Sequence, residues 1–362
     1  MSAAVIDTDT VVIGAGPVGL FQVFQLGLLG LNTHVIDALP EAGGQCVALY
    51  PDKPIYDVPG VPVCTGRELA QQLLLQAHPF LSTAPATGRI GNLHLNDQVA
   101  SLQTLADGGF ELGTRQGLRF RCRAVFVAAG AGAFVPRGLN VAALNGARNV
   151  HYHLPESADA APWAGQHLVV AGGGEEALFA VMQLMAAPVA SRPAALTLLH
   201  RRDQFQAEAS LEAGVRGLIA QGQVKLALGL PSGADVQENG QATALQVLGP
   251  DGATTALPFD HLLVRLGLSP KLGPLLDWGL QLDRKQVSVS PDCFQSSVNS
   301  VYAVGDINTY PGKKRLLLCG FHEATLAAHH AVAQLKPEQA HHLQYTTTST
   351  LLQQRLGVVP SV

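Results

Sequence analysis

Two glycine-rich turns of the same kind constrain the fold of this chain more than any other feature. The first has the pattern Gly-x-Gly-x-x-Gly at residues 14–19, and the second has Gly-x-Gly-x-x-Ala at residues 172–177, about 160 residues later. Each lies between a short β-branched or apolar run and a helical segment, which predicts two βαβ units. The spacing is too long for a repeat array, so the sequence predicts an α/β chain with two separate nucleotide-binding domains.

The residues of the first turn suit a dinucleotide. Gly14 permits the tight turn, Gly16 lets the backbone approach a pyrophosphate, and Gly19 allows the helix to pack closely on the strand. Asp37 ends the next strand, 23 residues after Gly14, where an acid can bind the ribose hydroxyls of an adenosine. Because a carboxylate would repel a 2′-phosphate, the first site is expected to hold FAD or NAD.

The second turn precedes a strand with a different end. Gly172 and Gly174 repeat the chemistry of the first turn, but the next strand ends in His200, Arg201 and Arg202 with no acid. Two guanidinium groups suit a 2′-phosphate by charge and by geometry, so NADPH is expected here rather than NADH. The two sites together imply electron flow from NADPH to a flavin.

The composition excludes several classes of protein. The chain has 362 residues, of which 47% are hydrophobic and 14% charged, and its net charge is −4. The sequence lacks the excess of basic residues that is typical of a nucleic-acid-binding protein. The uncharged stretch 10–36 is interrupted early by the first glycine turn, so no membrane span is expected. The five cysteines are scattered as in a protein of the reducing cytoplasm, and neither they nor the thirteen histidines predict a metal site.

Longer segments, spread over nearly the whole chain, carry a family resemblance. They are Val-Ile-Gly-Ala-Gly-Pro (12–17), Gly-Gly-Gln (43–45), Tyr-Pro with Ile-Tyr-Asp-Val-Pro-Gly (50–60), Gly-Ala-Phe-Val-Pro-Arg (132–137), His-Arg-Arg-Asp (200–203), Leu-Gly-Pro with Trp-Gly-Leu (272–280) and Gly-Asp-Ile-x-Thr-Tyr-Pro-Gly-Lys (305–313). The chain resembles the ferredoxin/flavodoxin–NADP⁺ reductases of the thioredoxin-reductase-like class. This resemblance implies two Rossmann-like domains of three-layer ββα form and a homodimer.

The resemblance also implies which residues bind each cofactor. Those expected at FAD are Gly14, Gly16, Pro17, Gly19, Asp37, Gln45, Tyr50, Val99, Phe134, Asp306 and Thr347. Those expected at NADPH are Gly172, Gly174, Glu175, Arg201 and Arg202. Tyr50 would stack on one face of the flavin and Tyr345, in a C-terminal extension, would cover the other, so both are expected to take part in catalysis. Three positions depart from the pattern of relatives: Tyr345 stands where many have His, Glu175 where Asp is usual, and Gln206 where Arg is frequent.

The order of the motifs predicts an interrupted FAD domain. Residues 1–135 and 265–362 would build it, and residues 136–264 would form the NADPH domain inserted between them. The linkers between the domains, near residues 130–137 and 266–270, would act as a hinge, since the nicotinamide has to reach the flavin.

The cysteine pattern indicates how electrons leave the flavin. No cysteine lies at 150–157, where thioredoxin reductases carry a CxxC, and Cys46 has Pro51 where glutathione-reductase relatives have its partner. Ferredoxin or flavodoxin is therefore the expected acceptor, after hydride transfer from NADPH to flavin N5. Lys313, Lys314 and Arg315 are expected either to be part of the docking surface or to form a solvated charge cluster in a loop. An NADPH-dependent disulfide or quinone reductase and a flavin-binding redox sensor without turnover remain alternatives.

Overall fold

The computed structural model describes residues 4–81, 92–154, 162–339 and 342–358. The helices of this part of the chain are α1 (Pro17–Leu28), α2 (Gln45–Ala48), α3 (Gly66–Leu81), α4 (Glu175–Ala186), α5 (Ala209–Ala220), α6 (Leu317–Leu335) and α7 (Thr350–Leu356). The strands are β1 (Val5–Asp7), β2 (Thr10–Ile13), β3 (Thr33–Ile36), β4 (Pro54–Ile55), β5 (Cys64–Thr65), β6 (Asn92–His94), β7 (Val99–Thr104), β8 (Phe110–Thr114), β9 (Arg119–Cys122), β10 (Ala124–Val127), β11 (Ala133–Pro136), β12 (Val150–His151), β13 (His167–Ala171), β14 (Ala195–His200), β15 (Lys225–Leu228), β16 (Leu230–Val236), β17 (Ala242–Leu248), β18 (Thr254–Pro258), β19 (His261–Val264), β20 (Leu268–Lys271), β21 (Leu282–Asp283), β22 (Gln286–Ser288), β23 (Val301–Ala303) and β24 (Asn308–Thr309).

The chain divides into two compact units. One contains Met1–Ala133 and Lys271–Val362, and the other contains Phe134–Pro270. The sequence predicted the divisions after residues 135 and 264. In the structure both connecting segments form strands, β11 and β20, that pair with each other.

The first unit has three layers. Its parallel sheet has the order β23-β10-β2-β3-β6, and a mostly antiparallel sheet has the order β1-β9-β8-β7. Alternate residues of the parallel strands face opposite sides: Val12 and Phe126 join the core with α1, α3 and α6, whereas Val11 and Val125 join the core that includes Phe110 of β8. A strand buried on both faces reads as a continuous apolar run, which is the pattern of β2 and β10.

The second unit repeats this design. Its parallel sheet has the order β12-β19-β13-β14-β15, and its antiparallel sheet has the order β16-β17-β18. Val170 of β13 packs in a core with α4 and α5, whereas Val169 packs in a core with Leu245 of β17. The predicted pair of three-layer ββα domains is therefore confirmed.

Several element boundaries follow from local chemistry. Thr65 and Glu68 form a reciprocal capping box at the start of α3: the Glu68 N–H donates to Thr65 Oγ1 at 3.2 Å, and the Thr65 N–H donates to Glu68 Oε2 at 2.8 Å. The C-terminal α7 follows a Ser349 cap, and the Arg355 guanidinium donates to the Leu28 carbonyl at the end of α1. None of the helices in the described ranges combines the length and apolar character needed to cross a bilayer.

Candidate functional site

The first glycine turn is built by close backbone approach. Gly14 has φ +107°, and its N–H donates to the Ile36 carbonyl at 2.8 Å. A Cβ on Gly14 would lie 2.5 Å from the Ala128 oxygen, and one on Gly19 would lie 1.9 Å from the Gly14 oxygen. Both positions therefore require glycine, because a side chain at either would separate α1 from the sheet.

The space beside Gly16 is open. A Cβ there would meet only the Gly44 Cα, at 3.8 Å. Gly16 caps α1 through its backbone alone and Pro17 is the first helical residue, so the free N–H groups of the first turn have no side-chain partner at the cap. An anion placed here would be bound by these amides and by the positive end of the helix dipole.

Asp37 lies at the carboxyl end of β3, beside this turn. It is 8% exposed, and it accepts hydrogen bonds from the Ala15 N–H at 2.5 Å and the Leu39 N–H at 2.8 Å. Burial raises the pKa of this carboxyl, and the two amide donors oppose that rise. The amides fix the orientation of the carboxylate and leave its remaining lone pairs for ribose hydroxyls.

The segment that contains Gln45 and Tyr50 lies near two distant parts of the chain, at Gly130 and at Asp306. The Cys46 thiol donates to the Tyr50 hydroxyl at 3.9 Å. Burial, then the Cys46 thiol and the Asp306 carboxylate, raise the pKa of Tyr50 to about 12, so the phenol is neutral at physiological pH. Gln45 lies next to Gly130, where an added Cβ would be 2.9 Å from its Nε2. The structure therefore brings Gln45, Tyr50 and Asp306 into the same unit, with Tyr50 and Asp306 near each other.

A buried carboxylate that no sequence pattern indicates, Glu323, holds the turn that carries Asp306. Glu323 of α6 is completely buried, and its Oε2 accepts from the Gly305 N–H at 2.7 Å. Lys313 Nζ lies 2.5 Å from Glu323 Oε1, and the Lys313 side chain is 7% exposed. The expected docking role of Lys313 is therefore wrong, because its ammonium is held inside the unit; Lys314 and Arg315 are exposed.

The second turn is covered by the loop that follows β14. The Gln206 N–H donates to the Gly173 carbonyl at 2.8 Å, and a Cβ on Gly173 would lie 2.4 Å from ring atoms of His200. Arg201 and Arg202 follow at the strand end and are exposed. Gln206 thus supports the loop through its backbone, while the two guanidinium groups remain accessible to a ligand.

The helix that follows this turn carries two acids and faces one unexpected cation. Glu175 is exposed at the first position of α4, after the Gly174 cap, and Gly172 is buried at the start of the turn. Arg265, just after β19, lies 3.4 Å from Glu176 and donates to the Tyr152 carbonyl at 2.9 Å. Sequence patterns gave no signal for Arg265, since it lies in an apolar strand end outside the glycine motif.

The remaining expected contacts differ in their surroundings. Val99 starts β7 and is 3% exposed. Thr347 is exposed and Tyr345 is 64% exposed, in the turn before α7. The side chain of Phe134 lies outside the described residues.

The five cysteines are all free thiols. Burial raises the pKa of Cys46, which disfavours the reactive thiolate. Within the described ranges there is no group of three or more His, Cys, Asp and Glu side chains that could hold a metal ion.

Comparisons with known proteins agree with this architecture. The chain is 48% identical over 361 residues to a ferredoxin–NADP reductase of Leptothrix cholodnii, with 99% of this chain and 94% of the relative covered. It is 49% identical over 366 residues to a ferredoxin–NADP reductase of Paracidovorax citrulli, with 99% and 98% covered.

Solved structures share the fold at low identity. A bacillithiol disulfide reductase from Staphylococcus aureus matches with a TM-score of 0.62 and 14% identity, over 91% of this chain and 99% of that one. A thioredoxin reductase from T. acidophilum matches with a TM-score of 0.55 and 19% identity, over 91% and 98%. The pattern described as pyridine nucleotide-disulphide oxidoreductase matches residues 8–342, so this chain belongs to that family.

Proposed function

We propose that this chain is a ferredoxin–NADP reductase, a flavoprotein that carries electrons between NADPH and ferredoxin through FAD. The observation that carries this function is the contrast between the two strand ends. A carboxylate fixed by two amides follows the first glycine turn, and two exposed guanidinium groups follow the second. One end suits an adenosine with free ribose hydroxyls, and the other suits a 2′-phosphate.

The residues of the first unit fit FAD. In this proposal a pyrophosphate would occupy the open space beside Gly16, and Asp37 would bind the ribose with the lone pairs that its two amide donors leave. Asp306 and Tyr50, which influence each other electrostatically, would contact the flavin. When bound, FAD would supply the redox chemistry, which is two-electron reduction at N5 by a hydride from NADPH and release of those electrons one at a time. The chain contributes binding, orientation and exclusion of water, and the neutral Tyr50 phenol offers a flat surface for stacking. The proposal includes Gln45, Val99, Phe134 and Thr347 as FAD contacts and Tyr345 as the cover of the second flavin face.

The second unit fits NADPH. Gly172, Gly174 and the start of α4 would hold the pyrophosphate, and Arg201 and Arg202 would bind the 2′-phosphate. Glu175 is exposed at the helix start, where a carboxylate can accept a ribose hydroxyl.

The cysteines support an external one-electron acceptor. A disulfide reductase needs two cysteines that can bridge, and all five cysteines here are free and none is spaced as a CxxC. Ferredoxin is the acceptor named in the relatives, and flavodoxin is chemically equivalent as a one-electron carrier. We include a cytoplasmic location and a homodimer in the proposal because the resemblance implies them.

Anaerobic mixing tests the function. The FAD-loaded protein is mixed with NADPH while its visible absorption is followed, and ferredoxin with cytochrome c is then added. We expect bleaching on NADPH addition, followed by cytochrome c reduction that requires ferredoxin. Bleaching without transfer to ferredoxin or flavodoxin would favour a quinone or disulfide reductase. Absence of bleaching with NADPH and NADH would leave only a flavin-binding sensor.

A further inference from the structure

A buried carboxylate fixes the turn that carries Asp306. Glu323 in α6 has no exposed surface, and its Oε2 accepts two hydrogen bonds, from the Gly305 N–H at 2.7 Å and from Asn308 Nδ2 at 2.9 Å. Asn308 Nδ2 also donates to the Ala303 carbonyl at 2.8 Å, which ties the turn to the end of β23. One acid thereby connects α6 to both sides of Asp306.

The other carboxylate oxygen is equally occupied. Glu323 Oε1 accepts from the Tyr310 hydroxyl at 2.9 Å and from Lys313 Nζ at 2.5 Å. Lys313 Nζ also donates to the Gly305 carbonyl at 2.9 Å. Both polar atoms of Gly305, its N–H and its carbonyl, are therefore bound by members of one ion pair.

A contribution to folding stability does not by itself explain why a buried ion pair stands at this position. Desolvation of two charges commonly cancels their attraction, and packed apolar side chains of similar size are often as stable or more so. The pair does, however, define one geometry, because each of its atoms has a directional partner in the 305–313 turn. Asp306 directly follows Gly305, and its negative charge contributes to the raised pKa of Tyr50 and of Cys46.

We propose that Glu323 and Lys313 are positioning residues for the flavin, because together they fix the Gly305 peptide and so aim the Asp306 carboxylate at FAD. The inference rests on the proposed function, since it requires FAD as the ligand. It assigns a flavin-binding effect to two residues whose side-chain hydrogen bonds are made to the 305–313 turn and to each other.

A double-mutant cycle tests this. Glu323→Gln keeps the side-chain shape but leaves Lys313 without its counter-charge. FAD dissociation constants are measured by titrating the apoprotein and following flavin fluorescence. We expect Glu323→Gln to weaken FAD binding at least tenfold in the wild-type background and less than twofold in an Asp306→Asn background. Glu111→Gln, at the Arg119–Glu111 pair with a 2.7 Å separation in the same unit, is the matched control and should leave FAD affinity unchanged.

Equal effects of Glu323→Gln in both backgrounds would overturn the proposal, because the carboxylate would then act independently of Asp306. If Glu323→Gln does not fold, the neutral pair Glu323→Gln with Lys313→Met replaces it. This pair retains an acceptor for the Gly305 N–H but loses the donor to its carbonyl, so we expect FAD binding at least threefold weaker than wild type, again only when Asp306 is present. Wild-type FAD affinity in a folded neutral pair would contradict the proposal. If the wild-type protein itself bound no FAD, the proposed function would fail first.

Discussion

At the scale of single residues, the buried charges of this chain differ in how many partners they already have. Asp37 receives two amide donors and keeps lone pairs for a ligand. Glu323 receives four donors and has no capacity left, so it can only support other groups. Spacing from Gly14 was enough to predict that Asp37 lies beside the first glycine turn, whereas Glu323 lies in an alanine-rich helix where an acid resembles a solvent-exposed residue. Its burial depends on Lys313, which no local pattern indicates.

Gly19 is the residue whose substitution should be least tolerated. The Cβ of Gly19→Ala would lie 1.9 Å from the Gly14 oxygen, which is backbone and cannot move without displacing α1 from the sheet. We expect a loss of about 3 kcal/mol or more in the free energy of unfolding, with loss of FAD binding. Urea titration measures the first and flavin fluorescence the second.

Gly217→Ala is the matched helix control. Its Cβ would meet no atom within 4 Å, so it should stabilise by about 0.5–1 kcal/mol. Equal destabilisation by both substitutions would contradict the packing explanation.

His34 should make the first unit sensitive to acid. It is 4% exposed, its Nδ1 lies 2.9 Å from His94 Nε2, and burial together with the His94 charge lowers its pKa to about 4. The unfolded chain binds a proton below about pH 6.5, and the native protein does so only below about 4, so stability falls as the pH drops through this window. At 1.36 kcal/mol per unit, this group costs about 3 kcal/mol between pH 7 and pH 4.

Urea unfolding at several pH values measures this slope. His34→Gln should flatten it, whereas His153→Gln, at an exposed histidine of the other unit, should not. An unchanged slope in His34→Gln would show that the acid sensitivity arises elsewhere.

At the scale of elements, the sequence predicted the helices and strands of the glycine motifs well and the neighbouring connections less well. The sequence of residues 92–105 predicts strand structure, and in the structure this segment is divided into β6 and β7, which belong to different sheets. The break is at Asn96, with φ +57°, and at Asp97, whose N–H donates to the Asp37 carbonyl at 3.0 Å. A long-range backbone contact of this kind leaves no periodic signal. Likewise the sequence predicts a helix from about residue 321, whereas α6 begins at Leu317 and includes Gly320, where a Cβ would lie 2.4 Å from Val18 Cγ2.

The end of β14 should determine the choice between NADPH and NADH. Replacing Arg201 and Arg202 by Ala removes two exposed guanidinium groups at this strand end. A charge-assisted hydrogen bond contributes about 1.5–3 kcal/mol, and because both groups are exposed we expect about 1.5–2 kcal/mol from the pair together, so NADPH binding should weaken about 10–30-fold. NADH binding should change less than twofold. Stopped-flow rates of flavin reduction at varied nucleotide concentration give both constants.

Arg216→Gln is the control for this prediction. Its guanidinium is already held by Asp203 at 2.9 Å and Glu212 at 2.8 Å, so it should not contribute to nucleotide binding. A parallel loss of NADH and NADPH binding in the Arg201 and Arg202 variant would mean that the loop, rather than the phosphate contact, had been damaged.

At the scale of the whole molecule, the order of motifs was sufficient to predict an insertion of one nucleotide domain into another. It could not place the connections, because the strands β11 and β20 acquire their structure only by pairing with each other across more than a hundred residues. Nor could local patterns identify the close approach of Gly132 to Lys271, where a Cβ on Gly132 would lie 2.4 Å from the Lys271 oxygen.

This close approach predicts that the two chain segments of the first unit can be joined directly, without the second unit between them. Replacing Phe134–Pro270 with a short Gly-Ser linker joins two points that are already adjacent, so loop closure adds little entropy cost. We expect the spliced chain to fold and bind FAD within about threefold of wild type, and not to be bleached by NADPH. The excised segment, with its own two cores, should unfold cooperatively and bind NADPH in the absence of the first unit.

The splice removes Phe134, an expected FAD contact, so full-length Phe134→Ala provides the reference. If the spliced chain and Phe134→Ala lose FAD affinity equally, the loss belongs to that side chain and the unit is otherwise autonomous. A spliced chain that folds cooperatively but binds FAD far more weakly than Phe134→Ala would show that the second unit contributes to the flavin site. Two dinucleotide sites on separately folding units would mean that each cofactor's affinity is set within its own unit, and that only electron transfer requires both.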